Sequence, residues 1–358
     1  MLSNINELFI NFTRDCNLNC SYCFEKYKYK NYMSNDVIDC LIKFIEDNKE
    51  MKYFELFGGE PYLALKQINR FVDGLETIYQ KTKREFHIAV ITNGTIYNDE
   101  IKKLVKKIQK HFNFYYIVSL DGDKETHDKN RHSYICKGSY DLVIKNSTEF
   151  KKDFPDVRME YHCVVNKDVA NNFYKCAKSL FRNNLFISGT CKFLSNTNCE
   201  NGYTVEDYEN VYRDIMRLNE EGYSLEFLAE RLDGLLYGID YRYRNSITEK
   251  DVCYNCEQIL NIDTDGDVYP CNHYITLKYE DLKKYSIYNI VTEKGKPFDI
   301  NKIEKMCDVP KCNNCEYKFS CYICSASVDI NGVKGFEYCC NENKKIHKAM
   351  DNVKFIIK

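Results

Sequence analysis

The chain has 358 residues, 44% hydrophobic and 29% charged, a globular composition that excludes wholesale disorder, a collagen-like repeat and a simple coiled coil. Lys plus Arg (51) nearly cancels Asp plus Glu (53), and the net charge of −2 gives no global reason to expect a nucleic acid or an anionic membrane as partner. No apolar run approaches the roughly 20 residues that span a bilayer, and the first residues lack the basic and apolar regions of a signal peptide, so the expectation is a cytoplasmic protein.

From residue 8 to about 222, short β-rich apolar runs alternate with longer runs of helical period, the pattern of βα units around a parallel sheet. Strands are expected at 8–13, 53–58, 87–92, 115–120, 159–165 and 185–193, with helices near 35–49, 63–82, 98–112, 139–153, 170–183 and 204–221. Six units fall short of the eight of a closed barrel, which leaves a partial barrel or an open doubly wound sheet. Residues 223–250 read as a helix and an irregular connector, and past them the βα rhythm stops. Turn signals at Thr264-Asp265-Gly266-Asp267 and at Asn331-Gly332 suggest short hairpins, and a helix over roughly 342–356 closes the chain. The expected division is a core over 1–222, a connector over 223–250 and a Cys-rich domain over 251–358.

The 19 cysteines are the abnormal feature, beside no Trp and 5 Pro. Without an export signal, and with a chain long enough to build its own core, clustered cysteines point to metal rather than disulfides. Cys16, Cys20 and Cys23 form a CxxxCxxC run directly after the first strand, on the carboxyl-end face where α/β folds bind ligands. Three thiolates on one loop can hold three irons of a four-iron four-sulfur cluster and leave the fourth open to another ligand. A structural zinc loop would want a fourth protein ligand and paired CxxC spacing.

This run, with an aromatic residue at Tyr22, resembles the signature of the radical SAM superfamily. Gly58, Gly59 and Glu60 after the second strand resemble its GGE motif, and Thr92-Asn93-Gly94-Thr95 and Ser119-Leu120-Asp121-Gly122 resemble segments of its peptide-modifying branch. The resemblance implies that Cys16, Cys20 and Cys23 carry the catalytic cluster. It also implies that Gly58, Gly59 and Glu60 hold the SAM amino group, that Ser119 contacts SAM, and that Tyr22 places its backbone near the adenine. Arg131 either binds the SAM carboxylate or pairs with Asp128 or another surface acid.

Further on, Cys256, Gly266 and Cys271 resemble the CxnGx4C signature of the SPASM domain, followed by Cys312, Cys315, Cys321, Cys324 and the adjacent Cys339 and Cys340. By that resemblance one auxiliary four-iron four-sulfur cluster uses Cys253, Cys256, Cys271 and Cys324. The other uses Cys312, Cys315, Cys321 and Cys340 or Cys339. The expected fold is then an α/β partial (β/α)6 TIM-like barrel followed by a small Cys-rich SPASM domain, carrying SAM and three clusters.

The implied activity is reductive cleavage of SAM to a 5′-deoxyadenosyl radical that modifies a residue of a peptide or protein, by thioether, other crosslink or epimer formation. The implied partners are that substrate, a flavodoxin- or ferredoxin-type reductant and a separate leader-binding protein. Anaerobic sulfatase maturation to formylglycine is the alternative, and a non-catalytic iron–sulfur carrier is a third. The sulfatase enzymes place an Asp directly after the cysteine equivalent to Cys271, where this chain has Asn272; an amide accepts no proton as a carboxylate does, so His273 or Asp263 would have to serve as base.

Overall fold

A computed structural model describes residues 5–133, 138–193, 199, 202–223, 259–295, 312, 314–317 and 323–353. The chain divides into two compact units. The first comprises Met1–Ser119, Asp128–Glu160 and Asn255–Phe298, and the second Leu120–His127, Tyr161–Tyr254 and Asp299–Lys358.

The first unit is built on β1 (Glu7–Asn11), β2 (Tyr53–Phe57), β3 (His87–Thr92) and β4 (Asn113–Ser119), joined by α1 (Asn35–Asp47), α2 (Leu65–Thr82) and α3 (Asp99–Gln109). The strands pair in parallel and in chain order, Glu7 with Tyr53, Tyr53 with His87 and His87 with Asn113. Alternation explains the packing: Leu8, Ile10, Leu56, Ile88 and Val90 are buried at every second position. Each helix answers with an apolar stripe, Ile38, Leu41 and Ile45 on α1 and Ile101, Leu104, Val105 and Ile108 on α3. Starts are capped by side chains, with Ser34 Oγ accepting from Val37 N and Asn98 Oδ1 from Ile101 N. Acids in the first turn of α3 and lysines in its last also suit the helix dipole.

On the other side of β1 lies a strand from far along the chain. β7 (Ile259–Ile262) pairs with β1 in parallel, Phe9 with Asn261 and Ile10 with Ile262. From β7 the chain turns back antiparallel into β8 (Asp267–Tyr269), then β9 (Tyr288–Asn289) and β10 (Lys294–Gly295). The hairpin expected at 264–267 is present, and Gly266 takes φ +80°, the left-handed conformation the turn needs. The order in this unit is β10-β9-β8-β7-β1-β2-β3-β4, followed by the first residues of β5 (Arg158–Val165). α5 (Tyr140–Asp153) precedes β5, after a short α4 (Lys124–Asn130).

The second unit holds the rest of β5, β6 (Ser188–Phe193), α6 (Lys167–Asn171), α7 (Phe173–Arg182), α8 (Val205–Glu220), α9 (Ser325–Asn331) and α10 (Val333–Val353). α8 opens on a reciprocal capping box between Thr204 and Asp207. It meets α10 through Tyr208, whose hydroxyl donates to Glu342 at 2.9 Å.

All six βα units expected from the sequence are present, in an α/β fold. Three details differ. The helix expected at 170–183 is two, because Asn172 leaves the helical region at φ −127°, ψ 24°. Asn331-Gly332 is no hairpin: Gly332, at φ +60°, separates two helices. The closing helix therefore begins at Val333 and not near 342. The connector expected at 223–250 lies outside the described residues beyond Tyr223.

Candidate active site

The loop after β1 is pinned against the end of β2 by main-chain bonds. Gly59 N donates to the Thr13 carbonyl at 3.1 Å and Glu60 N to the Asp15 carbonyl at 2.8 Å. Both glycines are required by this approach. A Cβ on Gly58 would lie 2.4 Å from Thr13 O, at φ +126°, and one on Gly59 would lie 2.1 Å from Asp15 O. The sequence assigns these glycines to ligand approach; the structure gives them a second duty toward the cysteine loop.

Glu60 is fully buried. Its Oε1 accepts from Tyr62 N at 3.1 Å and Thr92 Oγ1 at 2.8 Å, and its Oε2 from Asn93 N at 2.8 Å, so the carboxyl braces the end of β2 to the end of β3. Burial pushes its pKa up to about 7, against the pull of those donors. Asn93 carries the brace onward, donating Nδ2 to Asn17 Oδ1 at 2.8 Å and lying 3.8 Å from Cys16 Sγ.

Within the loop, Cys16 Sγ accepts from Leu18 N at 3.4 Å, and Cys23 N closes a turn on the Cys20 carbonyl at 3.1 Å. Burial pushes the Cys16 thiol up to about 12 and the Cys23 thiol to about 11, while the Lys28 ammonium opposes both shifts. That ammonium is bonded to the Leu18 carbonyl, inside the same loop. The far side of the loop is tied to the last residue of α4 and to His132 just beyond it. Asn19 N donates to His132 O at 2.7 Å, Ser21 N to Asn130 O at 2.9 Å and Ser21 Oγ to Asn130 Oδ1 at 2.8 Å.

Tyr22 and Arg131 are thereby brought together, with the guanidinium 5.3 Å from the ring centroid, a cation–π distance. Asp128, offered by the sequence as a partner for Arg131, accepts from Ser139 N and Tyr140 N, each at 2.8 Å. Ser119 is the last residue of β4.

Cys271 is buried in extended backbone just before a short turn, Asn272–Thr276, on which Asn272 and His273 are half-buried. Asp263 is held differently: Arg14 grips it with Nε at 3.0 Å and Nη2 at 2.7 Å, and both are 1% exposed. In the second unit Cys315 N donates to Cys312 O at 3.3 Å, Cys324 immediately precedes α9, and α10 presents Cys339 buried and Cys340 half-buried. Ser327 and the backbone of Cys324 donate toward Cys339. Cys253, Cys256 and Cys321 lie outside the described residues.

The donor set suits iron–sulfur chemistry. Three thiols sit on one braced loop, beside a lysine ammonium that favours the anionic form a ligand needs. Among the described residues no three His, Cys, Asp or Glu side chains close around a single point. A four-iron cluster takes its thiolates at separate corners, so it asks for no such convergence. Lys28 gave no signal in the sequence; Asn93 was legible as part of a motif and Asp263 as a candidate base, but not the bonds to Asn17 and Arg14, because those partners are distant in the chain.

Residues 10–165 match the model of the Radical SAM superfamily. Over those residues the chain carries a radical SAM domain. The cysteine-type anaerobic sulfatase-maturating enzyme of Clostridium novyi is 26% identical over 85% of this chain and 83% of its own. The enzyme of the same name from Clostridium perfringens (strain ATCC 13124) is 26% identical over 90% of each. Among solved structures, native anSMEcpe with bound AdoMet and Cp18Cys peptide superposes with a TM-score of 0.74 at 21% identity, covering 97% of this chain and 96% of that one. Streptococcus suis SuiB bound to precursor peptide SuiA gives 0.68 at 15% identity, covering 94% and 76%. The radical SAM assignment brings with it SAM and one four-iron four-sulfur cluster. No helix among the described residues is long and apolar enough to cross a membrane.

Proposed function

We propose that this radical SAM enzyme modifies a residue of a peptide or protein, using one catalytic cluster on Cys16, Cys20 and Cys23 and two auxiliary clusters on the C-terminal cysteines. The observation that carries the reading is the braced cysteine loop at the carboxyl ends of β1 to β3, in a chain similar along nearly its whole length to enzymes that mature sulfatases. When bound, the cluster and SAM supply one-electron cleavage of the SAM carbon–sulfur bond and hydrogen abstraction.

The chain's own residues do the rest. Lys28 holds a positive charge against the loop, Glu60 and Asn93 fix its outer wall, and Arg131 with Tyr22 offers a cation and a ring for SAM. The last auxiliary ligand is Cys339, because it is buried toward Cys324 while Cys340 is half-exposed. The bidentate bond to Arg14 engages both Asp263 oxygens, which supports His273 beside Cys271 as the base. The reductant is a flavodoxin or ferredoxin of the cytoplasm, and a separate protein presents the leader of a ribosomal peptide substrate.

Formylglycine formation in a sulfatase is the second reading, favoured by the two Clostridium relatives and opposed by Asn272. The test is anaerobic turnover of the reconstituted enzyme with a CxPxR-type peptide and with peptides encoded beside the gene, followed by mass spectrometry. A mass change in one of them is expected. SAM cleavage with no change in any peptide would contradict the proposal.

A further inference from the structure

The ammonium of Lys28 is turned into the cysteine loop without a carboxylate to meet it. Residues 26–30 read Lys-Tyr-Lys-Tyr-Lys, and the three lysines are not placed alike: Lys26 and Lys30 are exposed, while Lys28 is half-buried. The Lys28 ammonium donates to the Leu18 carbonyl and forms no ion pair among the described residues. Leu18 is buried between Cys16 and Cys20, and its N–H donates to Cys16 Sγ at 3.4 Å, so the lysine holds the stretch of backbone that shapes this thiol.

The cysteines beside it are not sealed off. Cys16, Cys20 and Cys23 are each half-buried, which leaves the loop an open side. The ammonium acts on Cys16 and Cys23 together, drawing both thiols toward thiolate against the push of burial. Two carboxyls face the same thiols, Glu60 toward Cys16 and Glu25 toward Cys23. Burial pushes them up to about 7 and about 8, so near neutral pH each holds its proton for much of the time and opposes the lysine only weakly.

A half-buried ammonium bonded to a carbonyl alone is a costly arrangement. If the loop needed no more than a donor for Leu18, a neutral amide would supply it with less desolvation. The charge becomes favourable when a negative group arrives, and three thiolates around a four-iron four-sulfur cluster are such a group. An added electron deepens that negative charge, so a fixed cation beside the thiolates favours the reduced form. Net charge around a cluster is among the factors that set its potential.

We propose that Lys28 sets the reduction potential of the catalytic cluster, raising it so that one electron from a low-potential donor can enter. The electron comes from that donor, no proton moves with it, and Lys28 keeps its charge throughout. This rests on the placement of the cluster on Cys16, Cys20 and Cys23 proposed above. Lys28 acts through its charge and takes no part in bond cleavage.

The test uses the reconstituted full chain without SAM and follows one-electron reduction by electron paramagnetic resonance at controlled potentials. The catalytic signal is the one missing from a Cys16→Ala, Cys20→Ala, Cys23→Ala variant. Lys28→Gln keeps a donor for the Leu18 carbonyl and loses the charge. Its equilibrium constant for reduction should fall about tenfold, a shift of about 59 mV to more negative potential. Lys28→Arg should stay close to the unaltered protein, iron should be unchanged in both, and the signals of the C-terminal clusters should not move. A Lys28→Gln potential equal to the unaltered one overturns the proposal, and so does a Lys28→Arg shift as large as that of Lys28→Gln. Loss of about four iron per chain from both variants would make Lys28 a brace of the loop and would overturn it too. If the unaltered chain and the triple variant give the same signals, the cluster is not on these cysteines, and that placement falls together with the proposal.

Discussion

The cysteine loop after β1 and the cysteines of the second unit are built on different principles. The loop is shaped by the chain: carbonyls of Thr13 and Asp15 receive Gly59 and Glu60, and carbonyls of Asn130 and His132 receive Ser21 and Asn19. Among the described residues of the second unit, Cys315 N closes a turn on the Cys312 carbonyl, Ser327 and the Cys324 backbone donate toward Cys339, and Cys339 is carried on the buried face of a long helix. A site that must admit SAM at an open iron needs its loop held in place before the cofactors arrive. A four-cysteine site can let the cluster do the tying, because metal binding itself supplies folding free energy.

The contrast can be broken at either end. The largest expected effect is in the second unit: Cys339→Ser should remove an auxiliary cluster and lower iron by about four per chain, whereas Cys340→Ser should leave iron unchanged. Iron and sulfide analysis after anaerobic purification decides between them. Equal losses from the two variants would dissolve the distinction drawn between buried and half-exposed thiols on α10.

Next comes the ion pair behind the loop. Arg14→Met leaves the Asp263 carboxylate buried without its partner and should destabilise the protein by about 3–5 kcal/mol, while Arg14→Met with Asp263→Leu should recover most of that loss. Denaturant unfolding of the two variants would show it. A single variant as stable as the double one would mean the pair braces nothing.

Glu60 gives a pH signature. Its folded pKa of about 7 lies above the ordinary carboxyl value of 4.5, so between those pH values the native state holds a proton that the unfolded chain has released. Stability from this group therefore declines as pH rises from about 4.5 to about 7, and Glu60→Gln should flatten that part of the curve. A smaller effect, about 1–3 kcal/mol, is expected for Gly59→Ala, whose Cβ would press on Asp15 O. Its Tm should fall, and the cluster loop should lose iron more readily to a chelator.

The sequence made the repeating part of the molecule readable and left the reach of distant partners dark. Strand and helix periods located six βα units because each is a local pattern, and the strand at 87–92 matches to the residue. The CxxxCxxC and GGE motifs were legible for the same reason. What escaped notice was non-local. β7 pairs with β1 across most of the chain, Arg14 finds Asp263 at a separation of 249 residues, and Gly59 is needed by a carbonyl of Asp15. Asn331-Gly332 was misread because a left-handed glycine ends a helix as readily as it turns a hairpin.

The most direct test of the account is 5′-deoxyadenosine production from SAM by the reconstituted chain under dithionite, beside a Cys16→Ala, Cys20→Ala, Cys23→Ala variant. The account predicts 5′-deoxyadenosine from the unaltered protein and none from the variant, which should still hold its C-terminal iron. An iron-loaded, unaltered protein that leaves SAM intact would contradict it and leave an iron–sulfur carrier in its place.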